Sequence, residues 1–376
     1  MNQNIYVLTL VPASFLWLSI PAFGHETAEH VDPELLSGWL TWVHLTIQWL
    51  HLLAFAVWFG VLGGTFLLKL KTRLDHLLYT SWFLYLVILA TGVYNMDWSA
   101  GILETPSLYM LPLLHQVPYA VSYTLALAAK VAVFAVAVLL TLIVTFLHLE
   151  RRIAEAELQR FFVMAGVLLG LAVTLMASVV LFYHEATDLW PIRLHSAGGV
   201  LSLHGEPARV EVIPESPPND FELLTTPRAW ADIVFRWMHL VGFGLWTGGM
   251  LATLIVGGVS PGRFLVYSWS LLFLQIVSGS IQMERWAPFE PAPYLWNLDA
   301  LSHLRFGRIY TSLMAVKHGL VLLTISLFMA PIVLYLRHER DFSMRGYALS
   351  GAIAALVISY IMMMVLLVHE GVDHAL

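Results

Sequence analysis

Eight long apolar segments set the limits of what this chain can fold into. They lie at about 38–68, 76–97, 117–148, 161–184, 228–257, 264–284, 307–336 and 346–369. Each is long enough to cross a hydrocarbon core of ~30 Å as a helix. In lipid every backbone polar group has to be satisfied within the protein, which favours helices for such segments. Composition agrees: of 376 residues 59% are hydrophobic and only 12% are charged, against roughly a quarter charged in soluble domains. The expectation is an all-α integral membrane protein. With no cysteine in the chain, disulfides, iron–sulfur clusters and thiolate metal sites are excluded. There is no phosphate-binding glycine loop and no basic patch, which speaks against an ATPase and against nucleic-acid partners. The net charge of -6 says little, because the charges sit in loops.

Residues 1–24 form a separate element. The apolar run from Ile5 to Phe23 ends Pro21-Ala22-Phe23-Gly24. It reads as a secretory signal that lacks a positive leading region, or as an uncleaved extra helix. Cleavage after Gly24 would expose His25-Glu26-Thr27-Ala28-Glu29-His30. A free amine beside His25, with His30 nearby, can chelate copper; a solvated acidic tail is the plainer reading.

The loops orient the spans. Lys69, Lys71 and Arg73, then Arg151, Arg152 and Arg160, then Arg263, and then Arg337 through Arg345 all fall at one end. The positive-inside rule makes that end cytoplasmic. The expected location is therefore a bacterial cytoplasmic (inner) membrane, with multiple passes. The exterior connections 98–116, 185–227 and 285–306 are longer. The middle one, with Glu215-Ser216-Pro217-Pro218-Asn219-Asp220, reads as a linker, and Ala208 to Ile213 alternates as a short hairpin would. Thr226-Pro227 suits the start of the fifth helix.

The two sides of that linker resemble each other at an offset near 187. Trp49-Leu50-His51 returns as Trp237-Met238-His239, with Phe four residues and Trp seven residues after each histidine. Ser81-Trp82 matches Ser268-Trp269, Thr91-Gly92 matches Ser278-Gly279, and Met96 matches Met283. Tyr123 and Lys130 match Tyr310 and Lys317, and His184-Glu185 matches His369-Glu370. His115 and His303 correspond more loosely ahead of the third helix of each half. Four helices per half is an even number, so the halves share one orientation and form two parallel four-helix bundles, 38–184 and 228–369.

The cytoplasmic charges measure depth at 1.5 Å per residue, placing His51, Lys130 and His184 roughly 27, 31 and 36 Å from the inner boundary. An ionisable residue at such a depth is expensive and marks function by default. A four-helix bundle that aims two histidines from different helices inward can hold a haem b through its axial positions, with the lysine on a propionate, a quinone or a substrate. The cofactor-binding candidates are thus His51, Lys130, His184, His239, Lys317 and His369, with the four histidines as iron ligands. The bland alternative is a histidine hydrogen-bonded to a neighbouring helix. His44 lies outside the matched set, since Asp232 occupies its aligned position. His76, His148 and His338 read as solvated loop residues, and Trp58 and Trp246 as packing. Gly60, Gly63, Gly64, Gly248 and Gly249 suit close helix approach.

At these residues the chain resembles the copper-resistance protein D (CopD-like) membrane domain and the related HemJ-type protoporphyrinogen oxidase architecture. The features that carry the resemblance are His51/Trp58/Gly60 with His239/Trp246/Gly248, and Tyr123/Lys130 with Tyr310/Lys317. They cover about 40–184 and 228–369. The HemJ-type resemblance implies haem b near the histidine and lysine positions and membrane redox chemistry. The CopD-type resemblance implies copper passage, for which His25, His30, His115 and His303 are the weaker ligand candidates. The chain is twice the length of a HemJ-type unit and lacks a Met-rich copper relay. The expected function is therefore a di-haem electron-transfer protein, or the membrane subunit of a respiratory complex. It would link an exterior redox partner to the membrane or its quinone. Copper uptake or delivery is the alternative.

Overall fold

The computed structural model describes residues 39–102, 119–151, 153–196, 224, 227–285, 307–337 and 344–373. These form eight helices: α1 (Trp39–Leu67), α2 (Leu74–Ile102), α3 (Ala120–Leu149), α4 (Glu155–Ser196), α5 (Pro227–Val256), α6 (Pro261–Arg285), α7 (Gly307–Leu336) and α8 (Met344–Asp373). No strand occurs among the described residues. Every helix contains a stretch long and apolar enough to span a membrane. Residues 35–376 make up one compact unit. The expected signal or extra helix at 1–24, and the hairpin at 208–213, lie outside the described residues.

Two helices outrun their apolar runs. α2 continues past residue 97 to Ile102, and α4 passes 184 to reach Ser196, so the expected linker 185–227 begins as helix. Asp97, Glu185 and Asp188 end the hydropathy there, but nothing in those stretches breaks the hydrogen-bond ladder until Pro191, well inside the extension.

Within each half the helices close a ring. α1 packs on α2 and α4, and α3 packs on α4 and touches α2; α5, α6, α7 and α8 repeat this pattern. Indole N–H groups tie the second helix to the third: Trp82 Nε1 donates to Thr145 Oγ1 at 3.2 Å, and Trp269 Nε1 donates to the Phe328 carbonyl at 3.3 Å. At the basic end His148 is not merely solvated. Its Nε2 lies 2.5 Å from Asp75 Oδ1, and Arg73 holds the other carboxylate oxygen at 2.9 Å. That pair ties the start of α2 to the end of α3.

The most extensive pairing in the molecule is α1 against α5. It rests on glycine. A Cβ on Gly60 would lie 2.6 Å from Gly248 Cα, and one on Gly248 would lie 2.5 Å from Gly60 Cα. Further along, Gly64 meets Gly249 and Ala252. Like positions of the two helices therefore face each other, as in a parallel pair about a local two-fold. Close backbone approach through small residues is how helices associate in lipid, where apolar burial gives no preference. Phe59, fully buried, fills the space between Gly170 of α4 and Gly244 of α5. Two more indoles cross between the halves: Trp49 Nε1 donates to Ser359 Oγ of α8 at 2.9 Å, and Trp237 Nε1 donates to Thr174 Oγ1 of α4 at 3.0 Å.

A Gly60→Ala or Gly248→Ala change drives a methyl into backbone and is expected to cost about 1–3 kcal/mol. It would be read as a lower unfolding midpoint of the detergent-solubilised protein. Gly319→Ala, where a Cβ meets nothing within 4 Å, should be neutral or slightly stabilising.

Candidate functional site

His51 and His239 stand 16 and 17 residues from the basic ends of their spans at Leu67 and Val256, and Lys130 and Lys317 each stand 19 residues from theirs at Leu149 and Leu336. At 1.5 Å per residue all four lie about 24–29 Å from the basic end.

Each histidine is directed by its neighbour on the next helix. Residues two apart on a helix point roughly oppositely, so α1 shows Trp49 to the other half and His51 to α2. There the imidazole lies against a glycine: a Cβ on Gly92 would stand 3.2 Å from His51 Cε1, and one on Gly279 would stand 3.1 Å from His239 Cε1. The residue before each glycine supplies a hydroxyl. His51 Nδ1 is 2.9 Å from Thr91 Oγ1, and His239 Nδ1 is 3.2 Å from Ser278 Oγ.

These hydroxyls fix the tautomer. Thr91 Oγ1 donates its proton to the Val87 carbonyl at 2.7 Å, and Ser278 Oγ donates to the Leu274 carbonyl at 2.6 Å. A hydroxyl has one proton to give. Toward the histidine it can only accept, so Nδ1 carries the hydrogen and Nε2 keeps a lone pair. An outer hydrogen bond of this kind orients a metal-ligating histidine and raises its basicity.

Lys130 is within electrostatic range of His51, and Lys317 of His239. Both lysines are half-buried. No carboxylate pairs with either among the described residues. Lys317 Nζ instead stands 3.6 Å from the Met362 thioether. A cation at this depth without an anion suits a ligand that brings its own negative charge. The geometry thus gathers His51 with Lys130, and His239 with Lys317.

His184 and His369 lie on α4 and α8, which pack on α1 and α5 respectively, but their side chains are outside the described set. His25, His30, His115 and His303 are outside the described residues altogether. No group of three His, Cys, Asp or Glu side chains able to hold a metal ion occurs among the described residues.

Several contributors are not singled out by composition alone. Thr91 and Ser278 are visible in the sequence only as matched small residues; their role as acceptors depends on the α1–α2 and α5–α6 crossings. His318, beside Lys317, donates from Nδ1 to the Met314 carbonyl at 2.6 Å. His44 is 1% exposed, with its ring 5.8 Å from that of Tyr94. Trp58 and Trp246 belong to the core, the first against Tyr85 and the second against Phe328.

Comparison with known proteins yields no match to any family model, any curated protein or any solved structure.

Lys130→Met and Lys317→Met remove a cation that has no carboxylate partner among the described residues. In ligand-free protein each should raise stability by about 1–3 kcal/mol, measured as a higher unfolding midpoint. A lower midpoint would mean that the lysine is already satisfied within the fold.

Proposed function

We propose that this chain is a membrane haem b-binding electron-transfer protein. It would carry one haem in each four-helix half and link an exterior redox partner to the membrane or its quinone. One observation carries the reading: in both halves a hydroxyl on the next helix holds the histidine Nδ1–H, which leaves the lone pair on Nε2.

The described part of the site suits the group. His51 and His239 would each offer Nε2 to an iron, with His184 and His369 on the fourth helices as the second ligands. Gly92 and Gly279 leave the imidazole edge uncrowded. Lys130 and Lys317 would face an acidic substituent such as a propionate, which supplies the anion the described residues do not. With no cysteine in the chain, the haem would be noncovalent. Bound haem supplies one-electron exchange. The chain's own residues hold the ligand tautomer, balance the charge and keep water out of an apolar bundle, and these are the factors that tune such a centre. A position about 24–29 Å from the basic end would leave the centres within reach of a partner docked on the exterior connections 98–116, 185–227 or 285–306. The basic loops support a bacterial inner-membrane location with sites toward the periplasm. The CopD-like and HemJ-like resemblance supports the same fold of site. The copper-delivery alternative rests on His25, His30, His115 and His303, none of them among the described residues.

Purified protein should show reduced-minus-oxidised b-type absorption bands. His51→Ala and His239→Ala should each remove about half of the signal, and the double variant all of it. Absence of bands in the natural protein would sink the reading. Thr91→Val keeps the shape but loses the acceptor, and should weaken haem retention in the first half about 10–100-fold, read as haem loss to a scavenger protein.

A further inference from the structure

In the second half three helices meet at a glycine. A Cβ on Gly351 of α8 would lie 2.9 Å from Phe328 of α7 and 3.1 Å from the Met250 sulfur of α5. These residues therefore share one level. Eleven residues are close to three full helical turns, about 16 Å. Counting eleven outward on each helix thus finds side chains that share a direction and a depth. His239 is eleven residues from Met250, Lys317 eleven from Phe328, and Met362 eleven from Gly351. The contacts agree with the count: Lys317 Nζ is 3.6 Å from Met362 Sδ, and Lys317 is in electrostatic range of His239.

The first half is built on the same junction. Gly166 of α4 takes the place of Gly351, and a Cβ there would lie 2.6 Å from Leu62 of α1. Eleven residues outward stand His51 on α1 and Ala177 on α4, with Lys130 on α3 matched to Lys317. The two layers differ in one donor, a thioether in the second half against a methyl in the first. His369 is seven residues, about 10 Å, further out than Met362.

Two groups from neighbouring helices share the layer of His239. Lys317 would have to shed a proton before it could bind iron. A thioether is uncharged, carries its lone pairs at any pH and suits iron opposite a histidine. The Met362 sulfur is already turned to Lys317, a residue of the site.

We propose that Met362 is the second axial ligand of the haem in the second half, in place of His369. The inference rests on the di-haem reading and alters one ligand of it. The first half, with Ala177 in that layer, keeps His184. One centre is then ligated by two histidines and the other by histidine and methionine. Ligation moves neither an electron nor a proton. It takes the sulfur from Lys317 and leaves the ammonium for the propionate.

Absorption spectra of the oxidised, full-length purified protein test this. The natural chain should show the sulfur-to-iron charge-transfer band of ferric histidine–methionine haem at the red edge of the spectrum. His51→Ala should keep that band. Met362→Leu should lose it, and one haem should become high-spin and take up carbon monoxide when reduced. Met363→Leu and Met364→Leu, on other faces of α8, should leave the band in place. Leucine is close to methionine in volume, so the unfolding midpoint of Met362→Leu should change little, which separates a lost ligand from a damaged fold. Two b-type haems without the sulfur band would overturn the assignment of Met362 and leave the di-haem reading standing. So would a Met362→Leu spectrum equal to that of the natural chain while His369→Ala turns one haem high-spin. A natural chain with no b-type bands would end both.

Discussion

The crossing of α1 on α5 at Gly60 and Gly248 is the contact on which the remaining architecture depends. With backbone against backbone, the two helices lose one face each to the other. What remains is a face toward the helix's own half and a face toward the opposite half. The sequence Trp-x-His fills both. Trp49 and Trp237 reach across to hydroxyls on α8 and α4, while His51 and His239 turn to hydroxyls on α2 and α6. A single helix thus holds a site and ties that site to the other bundle.

This arrangement relates packing to chemistry. Each interhelical hydrogen bond contributes only about 1 kcal/mol net, and in lipid they matter as much for direction as for energy. The hydroxyls of Thr91 and Ser278 already donate to their own helices, so they act as acceptors of fixed position. Gly92 and Gly279 keep the adjacent surface flat. The histidine is left with one lone pair and one orientation, which is the state a metal-bound haem requires of an axial ligand.

Much of the fold was legible because bilayer thickness and hydropathy together dictate helix number. Helix ends were not, since Asp97 and Glu185 end an apolar run without ending a helix. The glycines of α1 and α5 signalled a close approach, but which helices approach is a long-range fact that local pattern does not encode. His148 read as a solvated loop residue because Asp75 is far from it in sequence; the contact exists only once α2 and α3 are side by side. At the site, His51, Lys130, His239 and Lys317 stood out as ionisable residues in apolar helices. Thr91 and Ser278 did not, because a hydroxyl on a membrane helix usually bonds only to its own backbone, as these also do.

The central claim is that matched histidines in the two halves each ligate a haem iron. Metal analysis of the purified full-length chain, with acid extraction of any pigment, tests it most directly. The account predicts two irons per chain, recovered as extractable haem b, and no stoichiometric copper. Copper in place of iron, or a colourless protein free of both metals, would contradict it.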